Sequence, residues 1–269
     1  MDAKQKLINL KQCLRQLKSV AIAFSGGVDS TFLAKVCKDV LNENAICITI
    51  NTAFQPKSEI DEARKLAKNI GTKHIIIDLS INDLKSVKAN PIDRCYKCKK
   101  IIFSKIKEEA LKHGISTIVD GSNMDDTKDY RPGMKALKEL NVISPLLEAG
   151  LTKQDIRVLS KQLGLETWKK SSMSCLAARV PYNEEITEKK LSMIEEAEEY
   201  LKYLGFNQFR VRHHNTIARI EVLPEDMNRL LDKELKNKIS VALKDIGFKY
   251  ICLDLEGYKT GSLNREIGN

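Results

Sequence analysis

The feature that most constrains this chain is a glycine-rich loop between an apolar run and an amphipathic segment. Residues 20–24 are apolar and predict a buried strand of a parallel sheet, and residues 31–41 carry apolar side chains at helical spacing. Between them lies the loop Ser25-Gly26-Gly27-Val28-Asp29-Ser30. Glycines let the backbone turn tightly and approach a ligand, and a helix start offers N–H donors to an anion. The stretch therefore predicts a strand, an anion-binding loop and a helix.

Three side chains of this loop add to the chemistry. Ser25 and Ser30 supply hydroxyl donors, and Asp29 either holds magnesium or braces the loop. No Gly-Lys-Ser/Thr follows, so the loop is not a Walker P-loop. The competing interpretation is a plain strand–turn–helix whose glycines serve only the turn.

Strand and helix patterns alternate along the first part of the chain. Apolar strand patterns recur at residues 45–50, 74–79 and 116–119, and helical patterns are predicted at residues 2–18, 56–69 and 152–163. This alternation predicts an α/β fold with a doubly wound parallel sheet. Thr52 falls where the second strand would present its carboxyl end to a nucleotide.

The fourth predicted strand runs into a polar loop, Asp120-Gly-Ser-Asn-Met-Asp-Asp126. Gly121, Asn123 and Asp126 are candidate nucleotide-binding residues, because sheet enzymes bind ligands at the carboxyl ends of their strands. The carboxylates also suit magnesium, which prefers oxygen ligands and bridges phosphates. An Asx-rich turn with a helix cap is the alternative.

A second domain is expected after a boundary near residues 164–170. A helical pattern covers residues 186–204, strand patterns occur at residues 209–212, 217–222 and 250–253, and a helix is predicted near residues 225–246. We assign residues 1–168 to the α/β domain and residues 169–269 to a smaller α+β domain.

Net charge and the distribution of apolar residues indicate which kinds of binding partner to expect. The chain has 269 residues and a net charge of +9, which suggests an anionic ligand such as a nucleotide, an RNA or a phosphorylated metabolite. No apolar run is long enough for a membrane span and no signal-peptide pattern is present, so a cytoplasmic protein without a membrane partner is expected.

The seven cysteines fall into two groups. Cys13, Cys37, Cys47 and Cys252 lie in apolar elements and are interpreted as core residues. The others have chemical candidates. Cys95 and Cys98 form a Cys-x-x-Cys, which is half a zinc site, a dithiol or part of an iron–sulfur site. Cys175 follows Lys169 and Lys170 and precedes Arg179, cations that favour a reactive thiolate; the alternative is a small buried hydrophobe.

Strand geometry also predicts an anion site in the second domain. Arg210 and Arg212 are two residues apart on a predicted strand and therefore project from one face. The planar guanidinium suits phosphate oxygens, so we expect the phosphate of a substrate here, with Arg219 as a helper. A solvated basic strand is the alternative.

The first loop resembles the pyrophosphate loop (PP-loop) of ATP pyrophosphatases, which cleave ATP between the α- and β-phosphates. From Ser25 onward the chain resembles the LarE-type sulfur transferases, PP-loop enzymes of nickel-pincer nucleotide cofactor biosynthesis. The shared motifs are Ser25-Gly-Gly-Val-Asp-Ser30, Asp93-Arg-Cys-Tyr-Lys-Cys-Lys99, Asp120-Gly-Ser-Asn-Met-Asp-Asp126, Tyr130-Arg-Pro-Gly133, Ser174-Cys-Leu-Ala-Ala-Arg179, Arg210-Val-Arg212-His-His, Ala218-Arg-Ile-Glu221 and Leu253-Asp-Leu-Glu-Gly-Tyr-Lys-Thr-Gly-Ser-Leu-Asn264.

The resemblance implies a two-step reaction. ATP adenylates a carboxylate of pyridinium dicarboxylate mononucleotide and releases pyrophosphate; a sulfur nucleophile then displaces AMP and leaves a thiocarboxylate. It implies ATP and magnesium as cofactors and a homo-oligomer, a hexamer. The implied nucleotide-binding residues are Ser25, Gly26, Gly27, Asp29, Ser30, Thr52, Gly121, Asn123, Asp126 and Arg131, and the implied substrate-binding residues are Arg179, Arg210, Arg212, Arg219 and Glu221.

The family has two sulfur sources. One type sacrifices the sulfur of a cysteine at the position of Cys175, and the other holds a four-iron four-sulfur (4Fe-4S) cluster on three cysteines and takes sulfide from a donor. Because Cys95, Cys98 and Cys175 are all present, the chain resembles the second type. In either case Cys175, Asp29 and Ser30 are the expected catalytic residues.

Three other functions remain open at this point. A tRNA thiolation enzyme also combines a PP-loop with three cysteines, although no added RNA-binding module is evident. An amidotransferase-like ligase of the GMP or NAD synthetase kind would leave the three cysteines unexplained. A nucleotide-binding sensor would not catalyse at all.

Overall fold

The computed structural model describes residues 2–128, 132–170 and 175–259. The chain divides into two compact units. Unit 1 comprises Met1–Ser86 and Asp93–Ser172, and unit 2 comprises Val87–Ile92 and Met173–Asn269. The short segment 87–92 thus belongs to the second unit although it interrupts the first in sequence.

Unit 1 is built on a four-stranded parallel sheet with the strand order β3-β2-β1-β4. Its strands are β1 Val20–Ala23, β2 Ala45–Thr52, β3 Lys73–Leu79 and β4 Ile118–Val119. The register pairs Val20 with Ala45 on one side of β1 and Ala21 with Ile118 on the other. The predicted parallel α/β sheet is therefore confirmed.

Helices cover both faces of this sheet. They are α1 Ala3–Leu17, α2 Val28–Leu41, α3 Lys57–Ile70, α5 Arg94–Lys112, α6 Gly133–Glu139, the one-turn α7 Pro145–Glu148 and α8 Lys153–Gln162, while the one-turn α4 Lys85–Lys88 includes the boundary between unit 1 and unit 2. Side chains alternate across β1: Val20 and Ile22 join a core with Phe32 of α2, whereas Ala21 joins a second core with Phe103 of α5. The two cores fix β1 in the middle of the unit, so the loop that leaves β1 starts from a rigid strand.

Two differences from the predicted elements concern unit 1. Helix α2 begins at Val28 rather than at residue 31, so Asp29 and Ser30 lie in its first turn. Helix α5 was not predicted at all, although Phe103, Ile106 and Ala110 line the side that it buries. Its first two turns carry Cys-x-x-Cys and a run of lysines, which hides the apolar periodicity that appears only later in the helix.

Unit 2 contains a three-stranded sheet and its own core. Strands β5 Phe209–His214, β6 Ile217–Val222 and β7 Tyr250–Leu253 are ordered β5-β6-β7, with β5 antiparallel and β7 parallel to β6. The helices are α9 Glu188–Tyr203, α10 Pro224–Leu231 and α11 Lys233–Ile246. The single helix predicted at residues 225–246 is wrong: Asp232 leaves the helical conformation, with ψ of 133°, and its carboxylate caps the next helix at Leu235.

Of the four cysteines predicted to lie in the core, two are buried and two are not. Cys37 and Cys47 are buried as expected, and burial raises the pKa of Cys47 to about 12. The prediction is wrong for Cys252, which is exposed on the edge strand β7, and for Cys13, which is half-buried with its Sγ 3.6 Å from Glu148 Oε2. An edge strand and the rim of a surface helix each have one solvated side that residue type alone does not reveal. Within the described ranges, no helix has both the length and the apolar character that crossing a bilayer requires.

Candidate active site

The strand order places two polar loops side by side at one edge of the unit 1 sheet. β2 and β3 extend the sheet on one side of β1, and β4 lies on the other, so the order reverses between β1 and β4. Ligands of open α/β sheets bind at such a reversal, beyond the carboxyl ends of the strands. The Ser25 loop leaves β1 and the Asp120 loop leaves β4; a Cβ atom on Gly121 would lie 3.1 Å from the backbone N of Ser30. The two predicted loops are therefore in contact.

The Ser25–Ser30 loop is closed by its own hydroxyls. The backbone N–H of Ser25 donates to Ser30 Oγ at 3.3 Å, and the two hydroxyl oxygens are 3.1 Å apart. Gly26 has φ of +70°, and a Cβ there would lie 3.2 Å from Cα and Cβ of Ala63 in α3. Only glycine meets both demands without strain. The loop leads directly into the start of α2, where backbone N–H groups and the helix dipole favour an anion.

Asp29 in the first turn of α2 fits a magnesium site. Lys153 Nζ, on α8, is hydrogen-bonded to its Oδ2, while the buried Oδ1 has no hydrogen-bond partner in the described part of the chain. Burial raises the pKa of the Asp29 carboxyl, Lys153 opposes that rise, and nearby Asp126 adds to it. An unsatisfied carboxylate oxygen beside a second carboxylate is the donor chemistry that magnesium takes in nucleotide sites.

The second loop has the internal hydrogen bonds of an Asx turn. The N–H of Asn123 donates to Asp126 Oδ2, and Asn123 Oδ1 accepts from the N–H of Asp125, both at 2.9 Å. The N–H of Lys153 donates to Asp125 Oδ2 at 2.8 Å, which ties this loop to α8. Turn chemistry thus explains the fold of the loop, and the role of Asn123 and Asp126 in nucleotide binding stays a prediction.

The remaining predicted nucleotide residues differ in position. Thr52 is buried at the end of β2 and accepts the N–H of Phe54 on its hydroxyl at 3.2 Å. Arg131, within the motif Tyr130-Arg-Pro-Gly133, lies outside the described residues.

Two lysines of unit 1 were not singled out as site residues. Lys153 pairs with Asp29, and Lys170 Nζ lies 3.3 Å from the carbonyl oxygen of Gly26 and within 2.8 Å of both Glu59 and Glu62. Lys170 therefore braces the Ser25–Ser30 loop, a role different from the one predicted for it beside Cys175. In the sequence, the feature that could have pointed to Lys153 is its position directly after Thr152, the capping residue of α8.

The Cys-x-x-Cys begins α5. Cys95 is exposed and Cys98 is half-buried, and because they are three residues apart on a helix their side chains share one face. Arg94 Nη2 lies 3.9 Å from Cys95 Sγ. Cys175, also exposed, belongs to unit 2. Among the described residues, no group of three or more His, Cys, Asp or Glu side chains is assembled as a metal site.

Two of the predicted substrate-binding arginines of unit 2, Arg179 and Arg212, form buried ion pairs. Arg179 bonds Glu198 and Arg212 bonds Glu221, each through two hydrogen bonds of 2.9 Å. Arg219 Nη2 lies 3.3 Å from Glu221 and its Nη1 lies 3.1 Å from Asp254.

Arg210, the fourth predicted arginine, is buried and stacks over the ring of Tyr258 with its guanidinium carbon 5.1 Å from the ring centroid. Burial, and then the neighbouring charge of Arg179, lower the pKa of Arg210. In the register of β5 and β6, the backbone of Arg210 lies opposite Glu221 and that of Arg212 lies opposite Arg219. Arg210 and Arg212 therefore lie on one side of β5, as predicted.

A parallel sheet with a Ser-Gly-Gly-x-Asp-Ser loop at its reversal point defines an ATP-using α/β domain of the PP-loop class. Residues 4–115 match the family described as NAD synthase. The chain is 37% identical over 261 residues to the pyridinium-3,5-bisthiocarboxylic acid mononucleotide synthase of Lactiplantibacillus plantarum, with 96% of this chain and 94% of that protein covered. The chain belongs to the family of that synthase, the LarE-type ATP-dependent sulfur transferases.

Other relatives match different shares of the chain. An uncharacterized protein of Synechocystis is 41% identical over 264 residues, which cover 98% of both chains. The glutamine-hydrolyzing GMP synthase of Chlamydia muridarum is 23% identical over 184 residues, 60% of this chain and 35% of that one. The similarity to the pyridinium mononucleotide synthase continues through unit 2, whereas the similarity to GMP synthase covers a smaller part of the chain.

Proposed function

We propose that this protein uses ATP to convert a carboxylate of pyridinium dicarboxylate mononucleotide into a thiocarboxylate. The observation that carries the proposal is the 37% identity to the pyridinium-3,5-bisthiocarboxylic acid mononucleotide synthase across 96% of the chain. The contact between the Ser25 loop and the Asp120 loop supports it, because that edge of the sheet is where a nucleotide is expected.

The first step needs an activated acyl group, since a carboxylate is a poor electrophile. The substrate carboxylate attacks the α-phosphorus of ATP, the bond to the bridging oxygen breaks, and pyrophosphate leaves with that electron pair. The N–H groups at the start of α2 would hold the phosphate oxygens, with Ser25 and Ser30 as further donors. Asp29 would hold magnesium, which neutralises charge on the departing pyrophosphate.

The second step transfers sulfur. A sulfur nucleophile attacks the acyl carbon of the adenylate, the acyl–oxygen bond breaks, and AMP leaves, so that no oxidant or reductant is consumed. We assign Cys175 to the handling of that sulfur because it is an exposed thiol in unit 2, close in sequence to the buried Arg179.

The substrate phosphate is proposed to bind the side of β5 that carries Arg210 and Arg212. Arg210 is the arginine expected to contact the phosphate, because Arg212 bonds Glu221 through Nε and Nη2 and the carbonyl of Ala178 through Nη1. Arg210→Ala should raise the KM for the mononucleotide by about 10-fold or more with little change in the KM for ATP, because a charge-assisted contact is worth about 1.5–3 kcal/mol. An unchanged KM for the mononucleotide would remove Arg210 from the site.

The sulfur source is proposed to be a 4Fe-4S cluster held by Cys95, Cys98 and Cys175. Thiolates are the ligands that such clusters take, and Cys95 and Cys98 share one accessible face of α5. A cluster with three cysteine ligands leaves one iron open to carry sulfide supplied by a donor.

Anaerobically reconstituted protein tests the cluster. Its absorption should be lost in each of the variants Cys95→Ala, Cys98→Ala and Cys175→Ala and kept in Cys252→Ala, a matched exposed cysteine of unit 2. Turnover should repeat with added sulfide. A single turnover with loss of the Cys175 sulfur would instead establish the sacrificial mechanism.

Dependence on the acceptor separates the proposed function from the others. Pyrophosphate release from ATP should require the pyridinium mononucleotide. Release that requires tRNA would indicate a tRNA thiolation enzyme, release that requires ammonia would indicate a ligase, and ATP binding without release would indicate a sensor.

Two further properties are proposed: a cytoplasmic location and, from the family resemblance, a homo-oligomeric assembly, a hexamer. Exposed apolar side chains in unit 2 support an interface; they are Tyr203, Leu231, Val241, Tyr250 and Leu255. Light scattering that gives a monomeric mass would contradict the assembly.

A further inference from the structure

Arg179 is committed to other protein groups on three of its nitrogens. Only 1% of its surface is exposed. Its Nε and Nη2 donate to the two carboxylate oxygens of Glu198, each at 2.9 Å, and its Nη1 donates to the backbone carbonyl of Cys175 at 3.0 Å. This is the geometry of a bracket between Glu198 and the Cys175 backbone rather than of a group that awaits a substrate.

Glu198 is itself fixed from two elements. It belongs to α9, is 7% exposed, and its Oε1 also accepts the backbone N–H of Val211 in β5 at 3.0 Å. A buried carboxylate with three charge-assisted or backbone donors has little freedom to move. Helix and strand therefore define where Glu198 lies, and Glu198 defines where Arg179 lies.

The same short turn is held at its other end. Residues Leu176–Arg179 form one turn of 3-10 helix that begins after Cys175, and the N–H of Ala178 donates to the carbonyl of Cys175 at 2.9 Å. Arg212 Nη1 donates to the carbonyl of Ala178 at 2.6 Å while its other nitrogens bond Glu221. The arginines of two buried arginine–carboxylate pairs therefore donate to backbone carbonyls of this turn, at Cys175 and at Ala178.

We infer that the Arg179–Glu198 pair positions Cys175 for sulfur transfer and does not bind the substrate. Glu198, which no motif singled out, is accordingly a positioning residue. The inference rests on the proposed function in one respect, namely that Cys175 handles the sulfur. An exposed thiol on a single turn of helix needs such an anchor, because a misplacement of about 1 Å can cost about 100-fold in rate.

Arg179→Lys tests the inference while keeping the buried positive charge. An ammonium group is a point donor and cannot hold both oxygens of Glu198 and the Cys175 carbonyl with the fork geometry of a guanidinium. Pyrophosphate release and the KM for the mononucleotide should stay within about 2-fold, whereas thiocarboxylate formed per pyrophosphate released should fall by about 10-fold or more. The amides of residues 176–180 should exchange hydrogen faster than in the unaltered protein.

Arg229→Lys is the matched control. Arg229 also lies in unit 2, donates to a backbone carbonyl, that of Leu204, at 3.1 Å, and pairs with a carboxylate, that of Asp226, at 2.8 Å. Neither partner is in the Cys175 turn, so this variant should leave both the transfer ratio and the exchange of residues 176–180 unchanged. If Arg179→Lys fails to fold, the double variant Arg179→Met with Glu198→Met removes the pair without leaving a buried charge, and the same results are expected.

Two results would overturn the inference. One is a raised KM for the mononucleotide in Arg179→Lys at an unchanged transfer ratio, which would make Arg179 a substrate-binding residue. The other is hydrogen exchange of residues 176–180 equal to that of the Arg229→Lys control. Failure of the proposed function shows itself differently, as absence of mononucleotide-dependent pyrophosphate release in the unaltered protein, and the exchange measurement still tests the bracket in that case.

Discussion

The two carboxylate oxygens of Asp29, in the candidate site, have different environments. One carboxylate oxygen bonds Lys153, and the other is buried with no hydrogen-bond partner among the described residues. Burial without a full set of partners is costly and is tolerated where a ligand supplies what is missing. Lys153 offsets part of the desolvation through its charge and its hydrogen bond, and it keeps a negative charge available for a metal ion.

Asp29→Asn should therefore lower the rate of pyrophosphate release by at least about 100-fold, because a neutral amide is a much weaker ligand than a carboxylate for the magnesium ion that would offset the phosphate charge. Protein stability should change little, since removing the buried charge compensates for the weakened contact with Lys153. Asp39→Asn is the control in the same helix: Asp39 pairs with Lys35 one turn away, at 2.6 Å, on the surface. Equal rates of release in both variants would exclude Asp29 from the reaction.

His213 on β5 makes a pH-dependent contribution to stability. It is buried against the ring of Phe248, with centroids 5.4 Å apart, and its Nδ1 has no hydrogen-bond partner in the part of the chain that is described. Burial is the main cause that lowers its pKa, and the nearby charge of Lys190 adds to it; Glu184 opposes both and His214 acts in the same direction as Lys190. The folded protein thus binds this proton less readily than the unfolded chain does.

The stabilising effect of neutral His213 is fully present above the unfolded pKa of about 6.5 and is lost as the pH falls below it. His213→Gln should lose less thermal stability than the unaltered protein between about pH 7 and about pH 5. The measurement is Tm against pH for both proteins. Parallel curves would show that His213 does not contribute to acid sensitivity.

At the scale of elements, the strand–loop–helix unit depends on the left-handed backbone of Gly26. Alanine in that conformation costs about 1–2 kcal/mol, and its Cβ would meet Ala63 of α3 at 3.2 Å. Alanine at Gly71, which ends α3 with φ of +75° and has nothing within 4 Å of an added Cβ, would have the same backbone strain without the contact.

Gly26→Ala should abolish pyrophosphate release, whereas Gly71→Ala should lose stability through the backbone strain alone and keep its activity. Thermal unfolding together with a pyrophosphate assay separates the two effects. Normal release by Gly26→Ala would mean that the loop tolerates the added methyl group and that its shape is not what the phosphates require.

The elements also show how far sequence alone reaches. The parallel sheet and both loops at its edge were predictable, because apolar runs of strand length followed by glycine and polar residues are local patterns. The start of α2 at Val28 and the break at Asp232 were missed, since caps are decided by backbone angles. Lys153 and Glu198 could not be found in this way: each is one charged residue among many until the fold brings it to its partner.

At the scale of the whole molecule, chemistry is divided between the units. Unit 1 carries the two loops proposed to bind ATP and the Cys95–Cys98 pair, and unit 2 carries Cys175 and the buried arginines. A net charge of +9 suits a chain whose substrates are both polyanionic nucleotides. Identity to the synthase across both units fits one reaction that requires both of them, whereas a nucleotide-binding module alone would need only the first.

The most direct measurement is the mass of the mononucleotide after anaerobic incubation of the protein with ATP, magnesium, a sulfur donor and pyridinium dicarboxylate mononucleotide. The predicted result is replacement of one carboxylate oxygen by sulfur, with one AMP and one pyrophosphate formed per replacement. Recovery of the mononucleotide unchanged, or cleavage of ATP to ADP and phosphate, would contradict the assignment of this protein as an adenylating sulfur transferase.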